Sequence, residues 1–254
     1  MLQGYNILEF YTSVDLQRWE NLENKESIFT FPTNIIPPFF LVSTTYTATA
    51  TTVQVFDAST DVAIDIAKTV ITSDLTTYMT FKYLGATLTG LDCGNYYLKI
   101  VNGTNIFYSE VFAWEDDITD YLKINATSNS LTLGQDYTID LTGITFTCYV
   151  SAEESFDELE VTEEGVEKPY GDIPVFNTLN TSHGFDVFGN RSMLRFLFGL
   201  RILETNGAVS FAFGGRTYDA YDILVEKGES IGYDDTNTIT IKFKENNYIS
   251  SKNV

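Results

Sequence analysis

The chain has 254 residues, 44% of them apolar and 15% aromatic, with a formal charge of −20 and a sequence pI near 4.2. That is enough apolar material for sizeable cores, which excludes a disordered tail, and too much negative charge to grip nucleic acid backbones or anionic lipid. Two cysteines exclude a disulfide framework, and a single histidine leaves any imidazole-based site only one residue to use.

Nineteen Phe and 16 Tyr beside only 3 Met and 5 Pro, together with many Thr, Val and Ile, favour strands over helices. The start, MLQGYNILEFYTS, lacks a basic region followed by a long apolar one, and no apolar run approaches the about 20 residues of a membrane span. The expectation is a soluble protein made in a cytoplasm. A Cys93–Cys148 bridge is possible, but two free, buried thiols are the ordinary expectation.

In chain order, residues 1–38 read as an N-terminal arm or loop-rich segment. Ile7, Leu8, Phe10, Tyr11, Val14, Leu16 and Trp19 follow no clean period, Pro32 stops the run Ile28–Phe31, and Ile35-Ile36-Pro37-Pro38 punctuates again. Such a segment suits packing on a neighbouring copy, or an ordinary loop-rich start. Strands are expected at Phe39–Tyr46, Thr52–Phe56, Val62–Ile66 and Tyr78–Leu84. Gly90–Phe112 then reads as a hairpin about an Asn102-Gly103 turn, which sets Val101 opposite Thr104, Leu98 opposite Phe107 and Tyr97 opposite Tyr108. In that register Tyr96, Leu98, Ile100, Phe107 and Val111 form a core face, and Tyr97, Lys99, Ile106, Tyr108 and Glu110 a half-wet face. Roughly seven short strands with regular turn signals predict an antiparallel sandwich of immunoglobulin-like or fibronectin type III-like shape over 39–117.

Glu115-Asp116-Asp117 marks the expected domain boundary. Residues 118–254 read as a strand-rich α+β domain, with strands at Tyr121–Asn125, Thr132–Leu141, Ile144–Val150, Val209–Phe213, Tyr218–Val225 and Thr238–Phe243. Turns are expected at Leu141-Thr142-Gly143 and Gly214-Gly215. The stretch 153–167 holds eight acids and no base, and is expected as an acidic loop. Residues 190–204 (NRSMLRFLFGLRILE) are the one convincing helix: Met193, Leu194, Leu197, Leu200 and Ile202 to Leu203 give an apolar face, with Asn190 as N-cap and Asn206-Gly207 as stop.

The expected catalytic, cofactor-binding and metal residues are none. The acidic run lacks the spaced ligands and the glycine of a calcium loop, so it reads as a solvated hairpin tip or as a docking surface for a basic partner. Asp57–Asp61 and Asp234–Asn237 hold clustered oxygens where strands turn. His183, in Asn180–Gly184, has no nucleophile motif around it. Arg191, Arg195, Arg201 and Arg216 form the basic concentration, which either faces the acidic run of the same or an adjacent copy or simply balances an acidic domain. Interface candidates are Tyr97, Lys99, Ile106, Tyr108 and Glu110 on the hairpin and Arg191, Arg195 and Arg201 on the helix.

GLDCGNYYLKIVNGTNIFYSEVFAW resembles a motif in virion structural proteins of tailed phages that infect Bacteroidetes, including crAss-like phages: G-x-YYL-x-I, a turn, then YSE-x-F, matched by Gly94 to Ile100 and Tyr108 to Phe112. The second half is similar to theirs in Glu163-Glu164-Gly165, the leucine-bearing helix Leu194 to Leu203 and the closing segment Thr238 to Phe243. The resemblance covers most of the chain after about Phe39; the first forty residues and Thr178–Gly189 depart from it and inherit nothing. It implies a non-enzymatic tail or neck building block, made in the host bacterial cytoplasm, that forms a ring around the DNA channel. Its partners would be copies of itself and neighbouring tail or portal-proximal proteins, with no cofactor, no specific nucleic acid binding and no membrane insertion. The alternative is a tail-displayed receptor- or glycan-binding module. A third reading, a glycan hydrolase, needs two carboxylates facing across a cleft about 5–10 Å apart.

Overall fold

The computed structural model describes residues 6–12, 28–43, 51–64, 68–70, 72–73, 79–133, 137–166, 173–230 and 237–247. These are mainly strand, with one helix. The first half holds β1 (Phe10–Tyr11), β2 (Thr30–Pro32), β3 (Ile35–Ile36), β4 (Phe39–Ser43), β5 (Thr51–Asp57), β6 (Val62–Ala63), β7 (Lys68–Val70), β8 (Thr72–Ser73), β9 (Met79–Tyr83), β10 (Ala86–Thr87), β11 (Gly94–Asn102), β12 (Asn105–Ser109) and β13 (Phe112–Glu115). The second holds β14 (Tyr121–Ser128), β15 (Ser130–Leu133), β16 (Tyr137–Asp140), β17 (Thr145–Val166), β18 (Ile173–Gly189), α1 (Arg191–Thr205), β19 (Gly207–Phe213), β20 (Arg216–Ser230) and β21 (Asn237–Asn247).

β11 is the spine of the first half. One edge pairs with β5, and the other with β12 and then β13. Beyond β5 lie β6 and β7, and β1 covers β12. A separate sheet runs β4-β9-β8. The hairpin register differs from the expected one. Val101 faces Ile106 and Lys99 faces Tyr108, so Gly103-Thr104 is the turn. Asn102 stays in the strand because its amide is buried and donates to Thr51 Oγ1 at 2.7 Å, while Gly103 takes the positive φ of 59° that the turn demands.

A second irregularity moves Val111 off the core face. Between the pairs Lys99↔Tyr108 and Tyr96↔Phe112, two residues of β11 stand opposite three of its partner. Ser109 fills the gap: its Oγ accepts from Leu98 N at 2.8 Å and donates to Glu110 O at 2.7 Å. One extra residue exchanges the two faces. Val111 therefore joins Tyr97, Ala113, Ile28 and Ala58 in a small outer cluster, while Tyr96, Leu98, Ile100 and Phe107 enter the main core.

The second half is a closed barrel of six strands in the order β17-β14-β19-β20-β21-β18, with β18 returning to β17 and every neighbouring pair antiparallel. Alternation points Ile124, Phe146, Cys148, Phe185, Val187, Phe211, Tyr218, Ile239, Ile241 and Phe243 inward, each 2% exposed or less. Gly207 is required where β19 enters: a Cβ there would stand 1.7 Å from the Thr127 carbonyl oxygen. Gly214 and Gly215 make the β19–β20 turn, with φ of 55° and 81°.

α1 begins as its sequence suggests, with Asn190 Oδ1 accepting from Met193 N at 2.9 Å. Met193, Phe196, Leu197, Leu200 and Leu203 are fully buried; Ile202, expected on that face, is 41% exposed. The expected strand Thr132–Leu141 is instead the short hairpin β15–β16. The acidic stretch expected as a loop is strand to Val166, paired along β18. Glu167, and the acids of the expected turn at Asp234-Asp235, lie outside the described residues.

The described parts of residues 1–38 pack within their own chain. Ile7, Leu8, Phe10, Phe29 and Phe31 are at most 2% exposed, and the Asn6 side chain bonds both backbone groups of Phe40. β2 lies parallel to β13 on one side and touches β17 at Tyr149 on the other. A single apolar core consequently runs across the Glu115–Asp117 junction, from Ile7 to Phe243.

Candidate functional site

Two of the sequence-derived sets meet at a carboxylate that sequence reasoning did not single out. Glu9, held at the N-terminal end of β1, has a side chain 2% exposed. Its Oε1 accepts from Arg195 Nη1 at 2.6 Å and its Oε2 from the Tyr11 hydroxyl at 2.5 Å. Its backbone N–H donates to Glu110 Oε1 at 3.2 Å, and Glu110 N–H donates to the Glu9 carbonyl at 2.9 Å. A hairpin candidate and a helix candidate are thus tied through one buried acid. The Glu9 hydrogen bond first, and then its charge, raises the Arg195 pKa. Both carboxylates are buried and Glu9 is ion-paired, which is unlike the open cleft a hydrolase needs.

The remaining hairpin candidates divide by burial. Tyr97 is 2% exposed, stacks on Phe56 at 5.1 Å and donates its hydroxyl hydrogen to Asp61. Lys99 lies over the rings of Phe56 and Tyr108, 5.4 and 5.8 Å from their centroids, and Ile106 is 38% exposed. Burial, then the Glu110 charge and the Glu9 hydrogen bond, pushes the Tyr11 hydroxyl above its ordinary value. Burial, then the Asp61 hydrogen bond, does the same for Tyr97. A raised tyrosine pKa stabilises the fold fully below the unfolded value of about 10, and that contribution is lost as pH rises through the folded value. Denaturation midpoints measured from pH 8 to 12 are therefore expected to fall above about pH 10, and less steeply in Tyr97→Phe.

His183 sits inside the barrel, 0% exposed, its ring 4.5 Å from Tyr218 and 5.3 Å from Phe243, with Nε2 3.3 Å from Glu245 Oε2. Cys148 is buried in the same interior, which raises its pKa, whereas Cys93, expected buried, is exposed on the turn before β11. Asp57 serves its turn, Oδ1 accepting from Ser59 N, Ser59 Oγ and Thr60 N. Among the described residues no cluster of three or more His, Cys, Asp or Glu is placed to hold a metal, and no helix is long and apolar enough to cross a membrane.

Arg201 leads to the feature that the sequence did not reveal. Its helix ends beside a bulge in β20, where Asp222 takes a φ of 53° and Glu204 accepts from Asp222 N at 2.7 Å. The bulge opens a hollow of about 560 Å³ on the barrel wall, lined by Arg201, Lys242, Lys244, Phe156, Leu224 and Asp222 among others. Lys242 and Lys244 are outward neighbours on β21, and the signal that could have found them is the K-F-K alternation of Lys242-Phe243-Lys244. Lys242 pairs with Glu226 at 2.6 Å and Lys244 with Asp222 at 3.5 Å. Arg201 has no carboxylate partner among the described residues. Arg216 lies apart from this group, over the Tyr218 ring. Arg191 opens α1, and its side chain lies outside the described residues.

A second hollow of about 560 Å³ lies between the first half and the barrel, rimmed by Pro32, Ile35, Pro37, Leu84 and Tyr149. It carries no charged residue. The chain matches no protein-family model, no curated protein and no solved structure in comparisons with all three.

Proposed function

We propose that this protein is a non-enzymatic structural component of a phage virion, a tail or neck building block that forms a ring around the DNA channel. The observation that carries the reading is the β17–β18 ribbon. β17 pairs with β14 only as far as Ser151, yet it continues for 15 residues, Ala152–Val166, about 50 Å at the usual rise per residue. Among the described residues that stretch has a partner on one edge only, as does β18 over Ile173–Thr178. A closed barrel has no edge to offer, so a ribbon that runs on past β14 with an edge unpaired among the described residues is a hazard in a lone molecule and a joint in a ring.

The rest of the chain suits a rigid spacer. We read the first half as an immunoglobulin-like sandwich, a reading supported by the order β6/β7-β5-β11-β12/β13 beside β4-β9-β8, with β2 parallel to β13. The charge of −20 would keep packaged DNA from adhering to a surrounding ring. Copies of the chain and adjacent tail or portal-proximal proteins are the partners, and no cofactor takes part.

Imaging of the phage particles, combined with the mass of the purified protein in solution, tests this. The expected result is a closed ring of this chain in the tail or neck. Absence from the particle, or a stable free trimer that binds host cells, overturns it. The second outcome would favour a tail-displayed receptor- or glycan-binding module, for which the half-exposed Phe56–Lys99–Tyr108 patch is the supporting observation. Trp114, fully buried against Tyr96 at 4.3 Å, offers such a module nothing, and Trp19 lies outside the described residues.

A further inference from the structure

We propose that the free edge of β17 is a docking strand for an extended, basic segment of a different protein. The inference rests on the ring reading for its setting and names the chemistry of one neighbour. Over Ala152–Val166 the strand is paired with β18 on one edge, and among the described residues its other edge carries no strand. Alternate amide and carbonyl groups along that edge are placed to bond a further strand. The same stretch holds seven acids and no base.

Register decides which partner the edge accepts. Glu158, Glu160 and Glu164 stand at alternate positions, so they fall on one face of β17. Opposite them on β18 are Ser182, Asn180 and Phe176, and β18 contains no Lys or Arg. Lys244 is in line with Ser182, but it lies two strands from Glu158, about 10 Å at the usual spacing, and pairs with Asp222 at 3.5 Å. The strand beside this column of acids therefore does not neutralise it. A second β17 laid along the edge would set seven more acids against the first seven, and like charges facing across strands are destabilising. The β18 tip of another copy, Ile173–Thr178, offers six residues, no base and, at Pro174, no N–H. A strand with Lys or Arg at alternate positions meets both demands: its backbone completes the ladder, and its cations face Glu158, Glu160 and Glu164. Repulsion between copies and attraction for a basic strand together make the edge specific.

Fluorescence anisotropy with the full chain tests this, using a labelled peptide of alternating Lys and Thr. The control is the same peptide N-methylated throughout, which keeps every charge but donates no backbone hydrogen bond. The alternating peptide is expected to bind about tenfold more tightly than the control, and more weakly as salt is raised. Binding should fall by a similar factor in Glu158→Gln/Glu160→Gln/Glu164→Gln, with circular dichroism melts showing that the variant remains folded. Equal binding of the two peptides overturns the proposal by reducing it to adherence of charge. Equal binding to the variant overturns it too, as does no binding up to millimolar peptide. Sedimentation velocity adds one more outcome: a dimer of the natural chain that Thr162→Pro abolishes would make a second copy the occupant, against the proposal. Particle imaging separates the two levels: copies joined β17 edge to β17 edge leave the ring reading standing without this partner. A particle lacking the chain removes the ring reading, while the peptide result still decides what the edge binds.

Discussion

Phe243→Ala is expected to lower the unfolding free energy by about 3–5 kcal/mol, the usual range for removing a buried aromatic ring. Phe243 stands where the barrel's strands converge. Phe211 stacks on it at 4.4 Å, Phe185 lies parallel at 6.0 Å, and Tyr218 and His183 close the remaining sides. Those rings come from β18, β19 and β20, so no single strand can move to fill the space. The cavity persists, and its cost adds to the lost transfer energy. Urea titration should show a lower midpoint with an unchanged slope. Phe198→Ala, at a position 48% exposed on α1, is the comparison and is expected to cost under about 1 kcal/mol. Equal losses at the two positions would contradict a barrel closed around Phe243.

Arg195→Met is the second large effect, at about 2–4 kcal/mol. Removing one partner of a buried ion pair commonly costs about 3–5 kcal/mol, because the other charge is left in the interior. The Arg195 side chain is 37% exposed, which moves the expectation toward the lower end. The arrangement is asymmetric. Without Arg195 the Glu9 carboxylate stays buried beside Glu110, with the Tyr11 hydroxyl still donating. Without the Glu9 charge, Arg195 turns to water. Glu9→Gln should therefore cost only about 1 kcal/mol, and the double variant less than the sum of its parts. A double-mutant cycle by chemical denaturation measures this, and additive losses would show that the pair is not coupled.

Legibility in the sequence followed the range of the interactions. α1 was readable because its cap and its 3.6-residue period are local. The hairpin faces were readable up to Glu110, but the register slipped because the fate of Asn102 is decided by Thr51, 51 residues away. Val111 changed sides through one Ser109 hydroxyl, which composition could not announce. The acidic stretch resembled a loop because its charges suit water, yet its backbone pairs with β18 regardless. His183 was read only as lacking a nucleophile motif around it, although the alternation His183, Phe185, Val187 marks an inward face of a strand. The partners of Glu9 and the walls that join Lys242 and Lys244 into a hollow were invisible for the same reason: each is assembled from elements joined only by the fold.

Closure of the barrel has a consequence for how the chain is made. One of its seams joins β14 to β19, pairing Thr127 with Ala208. Strand β17 covers one side of β14 soon after it leaves the ribosome. The other side must wait for 81 further residues (208 − 127), roughly 4–16 s at a synthesis rate of about 5–20 residues per second. Throughout that interval β14 presents a bare row of amide and carbonyl groups beside Ile124 and its apolar neighbours. Translation speed over 128–208 is therefore expected to change how much chain reaches its native form.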